Sequence, residues 1–115
     1  INGYKTEYSQ VILNLLSNAK DILIERQIKN PKIELEIKDG NHFALVKIKD
    51  NAGGVDTSII DKIFEPYFTT RHQTQGTGIG LYMSKNIIER NMHGYINVAN
   101  TEDGALFTVK VDKEI

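Results

Sequence analysis

Apolar residues recur along the first part of the chain at the spacing of a helix. Tyr8, Ile12, Leu15, Leu16, Ala19, Ile22 and Leu23 fall three and four apart, so residues 6 to 28 are predicted helical with one buried stripe. Thr6 is the expected N-cap. Asn30-Pro31 closes the segment, because a residue before proline disfavours the α region. The period then shortens to two. Ile33, Leu35 and Ile37 alternate with Glu34, Glu36 and Lys38 as in a half-buried strand, and Asp39-Gly40-Asn41 signals a hairpin turn. The returning strand, Phe43 to Lys49, is apolar enough to be covered on both faces. Ala44, Val46, Ile48 and then Asp50 share one side of it.

Beyond Asn51-Ala52-Gly53-Gly54-Val55 the pattern predicts a short helix from Ser58 to Ile63, closed by Pro66. Residues 69 to 78 hold almost nothing that could enter a core and read as an exposed, mobile loop. A second helix is expected from Ile79 to Asn91, with Met83, Ile87 and Ile88 on its apolar side. Tyr95 to Asn100 and Ala105 to Asp112 alternate as strands around Asp103-Gly104. This order predicts an α+β fold: a two-layer sandwich of antiparallel hairpins with helices packed on one face.

Composition narrows the function classes. A chain of 115 residues with 40% apolar content supports one domain and one core. The net charge of −1 argues against sequence-independent nucleic-acid binding, which calls for a basic excess. No apolar run approaches the roughly 18 residues of a membrane span, and no charged-then-apolar leader opens the chain. The absence of cysteine removes disulfides, thiolate catalysis and cysteine-bound zinc, and fits a reducing cytoplasm. Glycine is the informative residue: Gly53 and Gly54 form one cluster, and Gly76, Gly78 and Gly80 another.

Three features carry candidate chemistry. On the first helix Asn14, Asn18, Asp21 and Glu25 form a polar row roughly 130° from the apolar stripe. Asparagine is a mediocre helix former, so two at i and i+4 are either a solvated face or a pair of amide oxygens aimed at a hard cation such as Mg²⁺. Asp50 ends a strand on its apolar side, where a carboxylate needs a donor. An adenine amino group is one such donor, and an ordinary turn after the strand is the alternative. Gly76-Thr77-Gly78-Ile79-Gly80 leads into a helix, as an anion-binding loop or a flexible hinge would. It is neither a Walker A loop, which needs Lys-Ser or Lys-Thr, nor a dinucleotide fingerprint, which needs a preceding strand.

Taken in order, these features resemble the Bergerat-type nucleotide fold, and within it the ATP-binding catalytic domain of sensor histidine kinases. Gln10 to Ala19 is similar to that family's N box, and Asp50 to Val55 to its first glycine box. Ile63 to Arg71 is similar to its F box, Gly76 to Leu81 to its second glycine box, and Gly104 to Thr108 to its closing glycine segment. The resemblance implies ATP and Mg²⁺ as cofactors. Asn18, with Asn14 alongside, would coordinate the metal, and Asp50 would receive the adenine amino group, with Gly54 permitting close approach. Phe64 and Phe68 would anchor a lid from which Arg71 reaches the γ-phosphate. Gly76, Gly78 and Gly80 would let the lid fold over the triphosphate, with amides around Ile79 and Leu81 holding phosphate oxygens. Thr108 would complete the adenine pocket, and Asp21, Ile63, Thr70 and Thr77 would also line the nucleotide. Thr69 and His72 carry smaller expectations.

The chain departs from the family pattern in places. Asp21 stands where many members have lysine, a form similar to the nitrogen-regulation-like branch, and Ala52 stands where glycine is commoner. The strand before the first helix is reduced to Ile1 and Gly3, so the sheet is expected to be mixed, mostly antiparallel, with a truncated first strand. The family's phospho-accepting histidine segment with its helical hairpin is not expected within these residues; His42 and His93 fall at a strand start and a helix end, and neither has the expected acidic neighbour. The resemblance therefore implies one cytoplasmic domain, residues 1–115, of a longer kinase. Its partners would be a histidine-bearing dimerisation domain of the same protein and a response regulator, with no nucleic-acid or membrane contact of its own. ATP-driven clamps of the same fold carry glutamate where Asn14 stands, and an amide cannot accept a proton from water. A regulatory ATP-binding module without catalysis is the third reading.

Overall fold

The computed structural model describes residues 5–66 and 80–112. Helix α1 runs Lys5–Glu25, then strands β1 (Ile33–Asp39) and β2 (Phe43–Asp50) form a hairpin. A 3₁₀ turn, Ile60–Lys62, takes the place of the expected short helix. Helix α2, Gly80–Asn86, continues as a π-helix over Ile87–Asn91, and β3 (Tyr95–Asn100) and β4 (Ala105–Asp112) complete the chain. Ile1 and Gly3, expected to be a strand remnant, lie outside the described residues, as does the loop expected at 69 to 78.

The sheet has the order β1-β2-β4-β3, and every ladder among the described residues is antiparallel. Register decides which side chains share a face. Val46 lies opposite Val109 and Ile48 opposite Phe107, so even positions of β2 and odd positions of β4 point the same way. That face meets Val11 and Leu15 of α1 together with Ile88 and Met92 of the second helical segment, which form one buried cluster. The architecture is the two-layer α+β sandwich that the hydrophobic pattern predicts, with both helices on one side.

Four local expectations are corrected. Thr6 lies inside α1 rather than at its cap, and the helix stops before proline is reached. Gln27 turns left-handed (φ 53°), its N–H bonds the Ile24 carbonyl at 3.0 Å, and the Ile28 N–H reaches back to Leu23 at 3.1 Å. This is the Schellman arrangement, with glutamine where glycine usually sits. β1 is exposed along its whole length, although Leu35 and Ile37 share the face of Ile48 and Val46. As the edge strand it lies beyond the helices, which rest on β2, β3 and β4. β2 is covered on one face only. Among the described residues no second layer covers Phe43 and Lys47 on the other side: the Lys110 ammonium lies 4.7 Å from the Phe43 ring, and Lys47 pairs with Glu36 at 4.0 Å. In the second helix Met83 is 47% exposed. The buried line is Ser84, Ile88 and Met92, each four residues on.

A left-handed residue with a side chain costs about 1–2 kcal/mol relative to glycine, part of which is offset by the greater freedom of glycine in the unfolded chain. Gln27→Gly is therefore expected to stabilise the domain by about 0.5–1 kcal/mol, raising the melting temperature by a few degrees. A calorimetric scan of both chains checks this, and a lower melting temperature for the variant contradicts it.

Candidate functional site

Alternation along β2 carries Asp50 to the helix-facing side of the sheet, where it is only 5% exposed. A buried carboxylate needs donors. Its Oδ1 accepts the N–H of Ala52 at 2.9 Å and the N–H of Ala105 at 3.4 Å, tying the end of β2 to the start of β4. Among the described residues no donor meets Oδ2. The two backbones run so close here that a Cβ on Gly104 would fall 1.8 Å from the Asp50 carbonyl oxygen. Only glycine permits that approach.

The turn after Asp50 is held from three directions. Gly53 and Gly54 both adopt left-handed backbones (φ 100° and 86°), which leaves their peptide groups without ladder partners. Arg26, at the end of α1, donates from Nη1 to the carbonyls of Ala52 (2.7 Å) and Gly54 (2.8 Å). Asn100, at the end of β3, accepts the Val55 N–H and donates to the Val55 carbonyl, both at 2.7 Å, as a neighbouring strand would. The Gly53 N–H is bonded to the Asp103 carbonyl at 3.0 Å. A Cβ on Gly54 would lie 2.8 Å from the Asn100 Oδ1, so the bare α-carbon at this position serves the protein's own packing. Arg26 and Asn100 escape a reading by motifs because they lie outside every glycine or asparagine box. The signal that could find them is the need of two left-handed glycines for outside donors.

A second cluster forms where α1 meets α2. Asn14 donates from Nδ2 to the Ser84 hydroxyl at 3.1 Å, and a Cβ on Gly80 would fall 2.9 Å from the Asn14 Oδ1. Asn14, the first residue of the polar row, is thus packed against the start of α2. Asn18 and Asp21 continue along α1 from it, half-buried. Ile63 is buried in the core, and Leu81 packs against it. The Phe64 ring stands edge-on to Phe107 at 6.2 Å between centroids, with the Lys85 ammonium 5.7 Å from it. Thr108 is not brought to the site. It pairs with Lys47 and Asn97 on the open face of the sheet, opposite to Asp50, and the Ala105 amide meets the carboxylate instead. Phe68, Thr70, Arg71, Gly76, Thr77, Gly78 and Ile79, with Thr69 and His72, lie outside the described residues.

Among the described residues no group of three His, Cys, Asp or Glu side chains could hold a metal. Amide oxygens are among the groups here that could face a cation. The Asn14 amide suits such a role, since its nitrogen is engaged by Ser84 and its oxygen is left as the acceptor. No described helix is long and apolar enough to cross a membrane.

Residues 3–115 match the family model of the histidine kinase-, DNA gyrase B- and HSP90-like ATPases. The chain belongs to this ATPase family. Within it the chain is similar to the two-component sensor PprA of Pseudomonas aeruginosa, at 37% identity over 96% of the chain and 12% of the relative. Sporulation kinase A of Bacillus subtilis is 33% identical over 99% of the chain and 18% of the relative. A sensor histidine kinase NtrY-like protein of Rickettsia conorii is 34% identical over 93% and 17%. The chain thus spans under a fifth of the length of these sensor kinases. The nucleotide-free catalytic domain of the histidine kinase ThkA superposes with a TM-score of 0.79 at 33% identity, covering 94% of this chain and 68% of that one. A mycobacterial sensor histidine kinase, MprB, shares the fold with a TM-score of 0.82 at 18% identity, covering 97% and 76%. The ATPase family thus supplies the context for a buried carboxylate and an asparagine row on one helix.

Because a Gly104 side chain would collide with the Asp50 backbone, Gly104→Ala must separate β2 from β4 at the site. It is expected to cost about 2–3 kcal/mol, measured by urea unfolding. A loss below about 0.5 kcal/mol would show that the two strands can part without penalty.

Proposed function

We propose that the domain binds Mg·ATP and presents the γ-phosphate to a histidine on a separate helical dimerisation domain of the same protein. In this reading residues 1–115 are the ATP-binding catalytic domain of a longer, cytoplasmic or membrane-anchored two-component sensor kinase. A response regulator takes the phosphoryl group downstream. The observation that carries the reading is Asp50, a buried carboxylate with one oxygen bound to two amides and the other without a described donor.

Each residue then has a defined role. Oδ2 of Asp50 accepts the exocyclic amino group of adenine. Guanine has a carbonyl oxygen at the corresponding position, so the carboxylate repels it. Asn18 and Asn14 direct amide oxygens at Mg²⁺, which when bound neutralises charge on the phosphate oxygens. Asp21 and Ile63 flank the nucleotide, and Phe64, packed on Phe107, holds the start of a lid. Phe68, Thr70, Arg71, Gly76, Thr77 and Gly78 belong to that lid, with Arg71 reaching the γ-phosphate, and the amides around Ile79 and Leu81, where Gly80 opens α2, hold phosphate oxygens. Positioning and charge neutralisation are most of what phosphoryl transfer requires. Asn14 offers an amide that cannot take a proton from water, which favours transfer to an incoming histidine over hydrolysis.

Asp50→Asn tests the base assignment. The asparagine oxygen keeps the Ala52 and Ala105 amides, so its NH₂ replaces Oδ2 and faces the adenine amino group donor to donor. The ratio of ATP to GTP affinity should fall at least about tenfold in calorimetric titrations with nonhydrolysable analogues. Unchanged selectivity would remove adenine from the site.

Asn18→Ala should weaken binding of the ATP analogue in Mg²⁺ by about tenfold while leaving the weaker binding measured in EDTA unaltered. Equal losses under both conditions would refute the metal role of Asn18. Sustained ATP hydrolysis by this chain, abolished by Asn14→Ala, would instead favour an ATP-driven clamp.

A further inference from the structure

We propose that Arg26 is a positioning residue for the nucleotide base, fixing the Asp50 carboxylate through the residue next to the glycine pair. The inference rests on the nucleotide reading above and adds a residue that no box of that reading contains. Three observations support it. Arg26 occupies the last position before the left-handed Gln27, so the Schellman turn fixes where its side chain starts. From there Nη1 donates to the carbonyls on either side of Gly53, at 2.7 and 2.8 Å, within the range of charge-assisted bonds. One of those carbonyls belongs to Ala52, whose own N–H is bonded to the Asp50 Oδ1 at 2.9 Å.

Arg26, Ala52 and Asp50 thus form a chain of two hydrogen bonds from the end of α1 to the proposed base acceptor. Asn100 holds Val55 and the Asp103 carbonyl holds the Gly53 N–H, so without Arg26 the turn keeps these ties to the β3–β4 side and loses its tie to α1, including the bond that fixes the Ala52 carbonyl. The same helix carries Asn14 and Asn18. Arg26 lies eight positions after Asn18, about 12 Å along the axis. One rigid element then sets the metal-facing amides and the base-facing carboxylate at a fixed separation.

The test is a double-mutant cycle on this chain, reading affinity for a nonhydrolysable Mg·ATP analogue by displacement of a fluorescent nucleotide. Arg26→Ala should weaken binding about tenfold in the wild-type background and less than about twofold in the Asp50→Asn background, because the carboxylate it positions is then gone. Arg26→Lys, which keeps a cationic donor, should recover part of the loss. It carries the comparison if the alanine variant does not fold. A purely structural role predicts the same fold-loss in both backgrounds, and that result overturns the proposal, as does unchanged affinity of both Arg26 variants. Failure of the unmutated chain to bind Mg·ATP would remove the nucleotide reading itself. Binding by the unmutated chain with an indifferent Arg26 would remove the clamp alone.

Discussion

The sheet side of the candidate site depends on one carboxylate oxygen. Oδ1 of Asp50 is where the end of β2, the glycine turn and the start of β4 converge, and among the described residues two backbone amides bind it. A buried anion held this way is stabilised by directed dipoles more than by a countercharge. The arrangement works only because Gly104 brings a second strand into contact with the Asp50 backbone. The sheet register, the turn geometry and the orientation of the second oxygen are one constraint seen from three sides.

The helical layer organises the rest. α1 touches the site at two places: Asn14 meets Ser84 and Gly80, and Arg26 grips the turn after Asp50. Between them the helix is anchored by Leu15, Ala19 and Leu23, all buried. The same packing that stabilises the fold therefore holds the polar row in place. A mid-helix asparagine costs some helix propensity, and at Asn14 the facing Ser84 hydroxyl gives the amide a partner.

Much of this is legible in the sequence. The change of period from helix to strand locates α1, the two hairpins and the face that Asp50 occupies, and the ordered boxes locate Asn14, Asp50 and Gly80. Other features are not legible, for identifiable reasons. Alternation alone does not say that β1 is the uncovered edge, because Ile33, Leu35 and Ile37 fit a half-buried strand whether or not a helix lies above. Gln27 gives no sign of a left-handed cap, since its partners are backbone atoms. Likeness to a motif assigns Thr108 to the adenine pocket, whereas strand parity sends it to the opposite face from Asp50. Arg26 and Asn100 act on carbonyls and amides, which no residue-type pattern reveals.

The one-sided covering of the sheet divides β4 into two alternating sets of positions. Ala105, Phe107, Val109 and Val111 face the helices and are buried, and the first of them also serves Asp50 through its amide. Leu106, Thr108, Lys110 and Asp112 face away and stay partly exposed. Substitution at the first set disturbs the core and the carboxylate together, while the second can change with little effect on either. A single strand therefore carries a constrained surface and a permissive one, set apart by nothing more than the pleat of its backbone.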